Sequence, residues 1–282
     1  MSGQDLTKLE APGRNPAGES EAKLTRQTEL SRSYWVDGRR LETRRIPARI
    51  QSRRPIVMLH EGLGSLSQWR DFPDRVAAET GSEVFVYSRY GHGGSSPLKE
   101  PRDISYMHHE AEVVLPELLE QAAIHRPVLL GHSDGASIAL LYAARYPDSP
   151  LALILEAPHV FVEDLTVESI RKAKLAYQTT DLPRKLARHH QDADRTFWGW
   201  NKIWLDPRFR SWNIESCLDF IRCPVLVIQG ENDEYGTARQ IEAIQARIPS
   251  GQLALLAECK HAPHRDQPEK TLRHIAAFVS SL

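Results

Sequence analysis

Gly131-His132-Ser133-Asp134-Gly135 is the segment of this sequence best suited to chemistry. It has the pattern G-x-S-x-G, with Val128, Leu129 and Leu130 before it and a helical stretch over residues 136–145 after it. A serine in a sharp strand-to-helix turn is lifted clear of the sheet. Side chains two positions to either side would collide in so tight a bend, so both positions need glycine. A hydroxyl presented this way can attack a carbonyl, provided that a base takes its proton and an acid orients the base. The chain's 12 histidines and 37 acidic residues supply many candidates. The adjacent pairs His108–His109 and His189–His190 suggest a metal site. Neighbours on a helix, however, point ~100° apart and do not converge on one ion, so no metal is expected.

The elements that must hold this serine follow from apolar patterning. Residues 56–59, 84–87, 127–130, 151–155, 224–228 and 252–256 are short runs rich in Val, Ile and Leu. Each is too short for a helix and apolar on both alternating faces, which predicts parallel strands covered on both sides. Intervening segments such as 106–122 and 136–145 carry helical spacing, so the expected architecture is α/β with a parallel, doubly wound sheet. Ahead of these, residues 34–41 read as two strands around the turn Asp37-Gly38. Between residues 155 and 224 the alternation stops. Helical stretches at 165–177, 182–190 and 193–204 follow Asp164, Asp181 and Asp192, which stand where N-caps belong. An all-helical insertion in a sheet protein reads as a cap, expected over residues 159–213 between core segments 31–158 and 214–282. Residues 1–30 are polar and aperiodic and read as a mobile arm.

Composition narrows the class. With 36 basic and 37 acidic residues, the chain has no charge case for nucleic acid or an anionic membrane. Cys217, Cys223 and Cys259 show no C-x-x-C spacing and cannot build a disulfide framework. With no signal-peptide pattern and no run of 18 apolar residues, a cytoplasmic location is expected. A small-molecule substrate is the expected partner, and a homodimer is one arrangement this reading allows.

Taken together, the motifs resemble the α/β-hydrolase superfamily from Tyr34 to Leu282. His60-Glu61-Gly62-Leu63-Gly64 follows the first long strand, where the family has its His-Gly oxyanion loop. Ser88-Arg89-Tyr90-Gly91-His92-Gly93-Gly94-Ser95 follows the next, where the family has an Asp-x-x-Gly-x-Gly-x-Ser turn. Glu61 stands in place of the usual glycine and Ser88 in place of the usual aspartate; the second change touches only a structural turn. The resemblance implies an eight-stranded, mostly parallel sheet with a helical cap, and a Ser-Asp-His triad in that chain order. It places the acid at Asp233 in Gly230-Glu231-Asn232-Asp233, with Glu231 beside it and Glu156 as a remoter alternative. It places the base at His261, leaving His264 as a supporting or surface residue. The backbone amides of Gly62 and Asp134 become the oxyanion donors. Glu61 is either a solvated loop carboxylate, the favoured reading, or a pocket residue, because a desolvated carboxylate beside an oxyanion would oppose catalysis.

Four of the six tryptophans, Trp198, Trp200, Trp204 and Trp212, fall near or within the expected cap. Aromatics over a nucleophile suit an apolar or aromatic pocket, with Glu61, His159, Phe161, Trp198 and Trp204 as candidate lining residues. The expected activity is cofactor-free hydrolysis of an ester, thioester or similarly activated carbonyl through an acyl-serine. A carbon–carbon bond hydrolase and a silent ligand-binding member of the fold are the alternatives.

Overall fold

The computed structural model describes residues 31–282. The arm expected over residues 1–30 lies outside the described residues. Asp37 and Gly38, with φ of 48° and 68°, turn the chain between β1 (Ser31–Val36) and β2 (Arg39–Ile46), which pair antiparallel. The apolar runs then become β3 (Ile56–Leu59), β4 (Val84–Tyr87), β5 (Val128–His132), β6 (Ala152–Glu156), β7 (Val225–Gly230) and β8 (Gln252–Leu256). One eight-stranded sheet results, in the order β1-β2-β4-β3-β5-β6-β7-β8, parallel throughout except at β1 and β2.

The period of two divides each strand between two cores. Ile56 and Met58 face a cluster with Val84, Val86 and Leu130, whereas Val57 and Leu59 face another with Phe85 and Leu129. The first is covered by α1 (Phe72–Thr80) and the C-terminal helix Pro268–Ser280. The second lies under α2 (Tyr106–His109), a π turn (Glu110–Val114), α3 (Leu115–Gln121) and α4 (Asp134–Arg145). Strands β3 to β7 are buried along their whole length. β8 departs from the expectation of cover on both sides. Among the described residues it is the sheet edge, and Leu253 and Leu255 remain 39% and 52% exposed.

Between β6 and β7 the chain forms α5 (Asp164–Thr179), α6 (Leu182–Leu186), α7 (Ala193–Trp204) and two 3-10 turns (Pro207–Ser211 and Glu215–Phe220). A single β-bridge, Phe161 with Asn213, closes the root of this insertion, and Ile214 N donates to Val160 O at 2.8 Å beside it. Only one of the three expected caps is made. Asp192 accepts from Arg195 N at 2.9 Å and starts α7. Asp181 precedes α6 but pairs with Lys185 instead. Asp164 is already helical; the position before it is Glu163, whose carboxylate accepts from Thr237 and Gln240. The last helices are α8 (Ala238–Arg247), α9 (Pro263–Asp266) and α10 (Pro268–Ser280).

From β3 the chain steps outward to β4 and then returns to β5 on the other side of β3. Their C-terminal ends therefore border the point where strand order reverses, the place where open α/β sheets gather their ligands.

Candidate active site

Ser133 leaves β5 with φ 53° and ψ −116°, a conformation that costs an L-residue energy and persists only where the surroundings enforce it. The surroundings are tight. A Cβ on Gly131 would run into the Gly135 carbonyl, and one on Gly135 into the Leu59 carbonyl. Ser133 N donates to Glu156 O at 2.9 Å, fastening the turn to β6.

Two other strand ends bring partners to the hydroxyl. His261, in the loop after β8, has Nε2 2.9 Å from Ser133 Oγ and Nδ1 2.9 Å from both carboxylate oxygens of Asp233. Asp233 sits in the turn after β7, and its carboxylate also accepts from Tyr235 N at 2.7 Å, Gly236 N at 3.2 Å and Gln229 Nε2 at 2.7 Å. Burial alone would raise this carboxyl, but the hydrogen bond and charge of His261 with the Tyr235 amide hold it down to about 2. An ionised Asp233 makes Nδ1 of His261 the donor, which leaves Nε2 bare to accept the serine proton. Neither alternative acid is so placed. Glu231 is exposed, and Glu156 bonds His264 Nδ1 at 2.7 Å. His264 is correspondingly no surface residue: it is buried against Trp69 and Phe72 as well as Glu156.

The expected oxyanion donors come from the loop after β3 and from the residue that follows Ser133. Asp134 is the first residue of α4, so its amide has no intrahelical acceptor. The carbonyl of Glu61 accepts from Arg89 Nη2 at 2.8 Å and His60 Nδ1 at 2.7 Å. Because a trans peptide sets C=O and N–H on opposite sides, the Gly62 amide of that same peptide points away from Arg89. Gly62 and Asp134 both line the cavity at Ser133. Arg89, fully buried, also lies 3.7 Å from the Asp134 carboxylate, so one guanidinium underlies both donors. Two further rings hold the loop: His92 Nε2 donates to Gly62 O at 3.0 Å and His190 Nε2 to Leu63 O at 2.9 Å. Burial holds both imidazoles below their ordinary value and keeps them neutral, as one-sided donors require. Ser88 ties its turn to two distant segments, accepting from Leu66 N at 2.9 Å and donating to Glu42 at 2.8 Å. The sequence showed Arg89 and His92 only as members of their turn and His190 only as half of a histidine pair; an arginine two residues past a wholly apolar strand was the one available signal of this support.

A cavity of about 290 Å³ opens over the serine. Of the candidate lining residues, Glu61, His159 and Trp204 face it, joined by Trp200, Ile170 and Tyr235. Trp198 and Phe161 do not. On α7, Trp200 and Trp204 stand four residues apart and share one face, whereas Trp198 is turned outward against Tyr177 and Phe197. Phe161 belongs to the bridge at the root of the insertion and lies under the Arg239 guanidinium, in a separate groove. Of its two readings Glu61 takes the second, a cavity residue with its side chain only 18% exposed. Burial opposes its ionisation, but the nearby charges of His132 and Arg265 hold it well below the usual carboxylate range.

Comparison with known proteins agrees with this architecture. The chain is similar to a proline iminopeptidase of Lactobacillus delbrueckii subsp. bulgaricus, 25% identical over 258 residues, covering 78% of this chain and 87% of that one. It is 23% identical to a bifunctional esterase/perhydrolase of Acinetobacter calcoaceticus, over 80% of this chain and 92% of that protein. In fold it is similar to the enol-lactonase from Burkholderia xenovorans LB400, with a TM-score of 0.68 and 20% identity, covering 88% of this chain and 100% of that one. The alpha/beta hydrolase family matches residues 56–274, from β3 into the last helix. The chain therefore belongs to the alpha/beta hydrolase family.

Proposed function

We propose that this hydrolase cleaves an ester, thioester or similarly activated carbonyl of a small, apolar or aromatic substrate through an acyl-serine on Ser133. The observation that carries the reading is the unbroken hydrogen-bonded line Ser133–His261–Asp233 beneath the cavity. Ser133 Oγ attacks the carbonyl carbon while its proton passes to His261 Nε2, and Asp233 stabilises the imidazolium. The negative oxygen is received by the Gly62 and Asp134 amides. The intermediate collapses as His261 returns the proton to the leaving group. Water, deprotonated by His261, then attacks the acyl-serine and releases the acid. No metal or organic cofactor has a part in this scheme. Three free thiols, and no helix among the described residues long and apolar enough to cross a membrane, support a cytoplasmic setting.

A second reading is favoured by the carboxylate of Glu234 beside His261 at the cavity and by the similarity to a proline iminopeptidase: release of an N-terminal residue, the same chemistry on an amide. A fluorophosphonate probe followed by peptide mass mapping tests the common mechanism, with covalent label expected on Ser133 and none in Ser133→Ala. Label on the intact Ser133→Ala protein would refute it. Comparing p-nitrophenyl esters with proline p-nitroanilide then separates the two readings, with the esters expected to turn over faster.

A further inference from the structure

Glu61 stands where the resemblance implied a glycine, and the structure has made room for it. A side chain on Gly64 would occupy the position of the Glu61 carboxylate. That carboxylate reaches two separate elements. Oε2 lies 3.5 Å from Nδ1 of His132, the last residue of β5, and Oε1 lies 3.6 Å from Nη2 of Arg265, in α9 just beyond His261. His132 is itself tied to the base, since its Nε2 donates to the His261 carbonyl at 2.7 Å. Burial would lower His132, but Glu61 raises it above its ordinary value, so the ring can meet the carboxylate as a cation while still donating to His261.

We propose that Glu61 is a positioning residue, whose carboxylate pins the loop carrying the Gly62 amide to His132 and Arg265 and so fixes the spacing between oxyanion donor and base. This rests on the acyl-serine reading above. The loop of Gly62 is otherwise held by Arg89, His92 and His190, whereas the Asp233 turn and the His261 loop are already bonded to one another, Asn232 N donating to Cys259 O at 2.9 Å and His261 N to the Glu234 carboxylate at 3.2 Å. Glu61 and His132 link the first of these to the last across the nucleophile. A pin of this kind acts on the transition state, where donor and base must be correct together, and little on binding. It also accounts for an ionised carboxylate in the cavity wall. Its charge is committed to a ring and a guanidinium, so it does not face the developing oxyanion unpaired.

The rival role is a direct contact with a cationic group on the substrate. Kinetics on two isosteric esters distinguish them: p-nitrophenyl butyrate and p-nitrophenyl β-alaninate, which carries an ammonium in place of the terminal methyl. For Glu61→Gln the expected result is a ~10- to 100-fold fall in kcat on both esters, with KM within about twofold and a parallel slowing of fluorophosphonate labelling. The double variant Glu61→Gln/His132→Asn should be no slower than the slower single variant, because both break the same link. Should Glu61→Gln fold poorly, Arg265→Gln removes the outer end of the pin from a side chain that is 40% exposed, and should still lower kcat severalfold at unchanged KM. A loss confined to KM for the β-alaninate, additive costs in the double variant, or wild-type kcat in either single variant would overturn the pin. Absence of label on wild-type Ser133 would instead overturn the acyl-serine reading on which it stands.

Discussion

Replacing Asp233 by Asn removes one charge and leaves the side-chain shape almost unaltered. In the wild type one carboxylate oxygen accepts from the Tyr235 and Gly236 amides, and the other from Gln229 Nε2, while His261 Nδ1 reaches both. The amides can be served only by the Asn oxygen, so its NH2 must turn toward His261 and Gln229. Gln229 can adapt, because its own Oε1 is buried without a partner and a flip of its amide presents that oxygen. His261 cannot. With a donor opposite, Nδ1 becomes the acceptor, and the ring proton moves to Nε2, facing Ser133. The hydroxyl then loses its base, and kcat should fall about 10⁴-fold near neutral pH. Stability should fall as well. The carboxyl lies at about 2 in the folded protein against 3.8 ordinarily, roughly two units at about 1.4 kcal/mol each, or about 2–3 kcal/mol. Because the folded value is depressed, that stabilisation is complete above about pH 4 and disappears as pH falls toward 2. Stopped-flow release of p-nitrophenol gives the acylation burst, and urea melts at pH 7 give the free energy. Asp233→Asn retaining more than a tenth of wild-type kcat would refute the tautomer argument.

His261→Ala should abolish the burst, whereas His264→Ala should keep a burst of near-normal amplitude yet lose about 3 kcal/mol in urea melts, since Glu156 is left buried without its ring. Equal bursts in the two variants would contradict the assignment. His159, driven down to about 3 chiefly by burial and then by His261, stays neutral when folded but takes up a proton when unfolded below its ordinary 6.5. Its folded value being depressed, it should destabilise the fold progressively as pH drops from about 6.5 toward 3, at up to about 1.4 kcal/mol per unit. His159→Phe should flatten that slope in urea melts between pH 7 and 5, and an unchanged slope would assign it elsewhere. The cavity of about 290 Å³ stands at the small end of ligand pockets, so p-nitrophenyl ester activity should peak at short acyl chains. Activity still rising past about twelve acyl carbons would contradict it.

What was legible in the sequence was whatever is written locally. The turn at Ser133 and the loops holding Asp233 and His261 each sit at the end of an apolar run, and the parallel sheet brings those ends together. What depends on distant partners was not legible. Glu61 reads as a loop carboxylate until His132 and Arg265 are seen beside it, and His264 as peripheral until Trp69 and Glu156 close over it. Direction on a helix was lost in the same way. Trp198 and Trp200 differ by two positions, yet one faces out and one in, and composition cannot distinguish them. The exposed face of β8 escaped because an edge strand and a central one share the same apolar residues; only the order of pairing separates them.

The bridge between Phe161 and Asn213 gives the molecule a seam. The chain departs from the sheet on one side of that pair and rejoins it on the other, so the span between them is a closed loop whose length the strands do not register. Loop-closure entropy grows only as the logarithm of length, so a lineage can lengthen, shorten or exchange this segment at little thermodynamic cost. Ser133, Asp233 and His261 all lie outside the seam, while Ile170, Trp200 and Trp204 lie inside it. The reacting groups and the aromatic wall of the cavity thus stand on separate stretches of chain, with His190 the exception, since it lies inside the seam and holds Leu63 of the oxyanion loop. A transplant cut at 161 and 213 should carry substrate preference from one such protein to another and leave the chemistry behind.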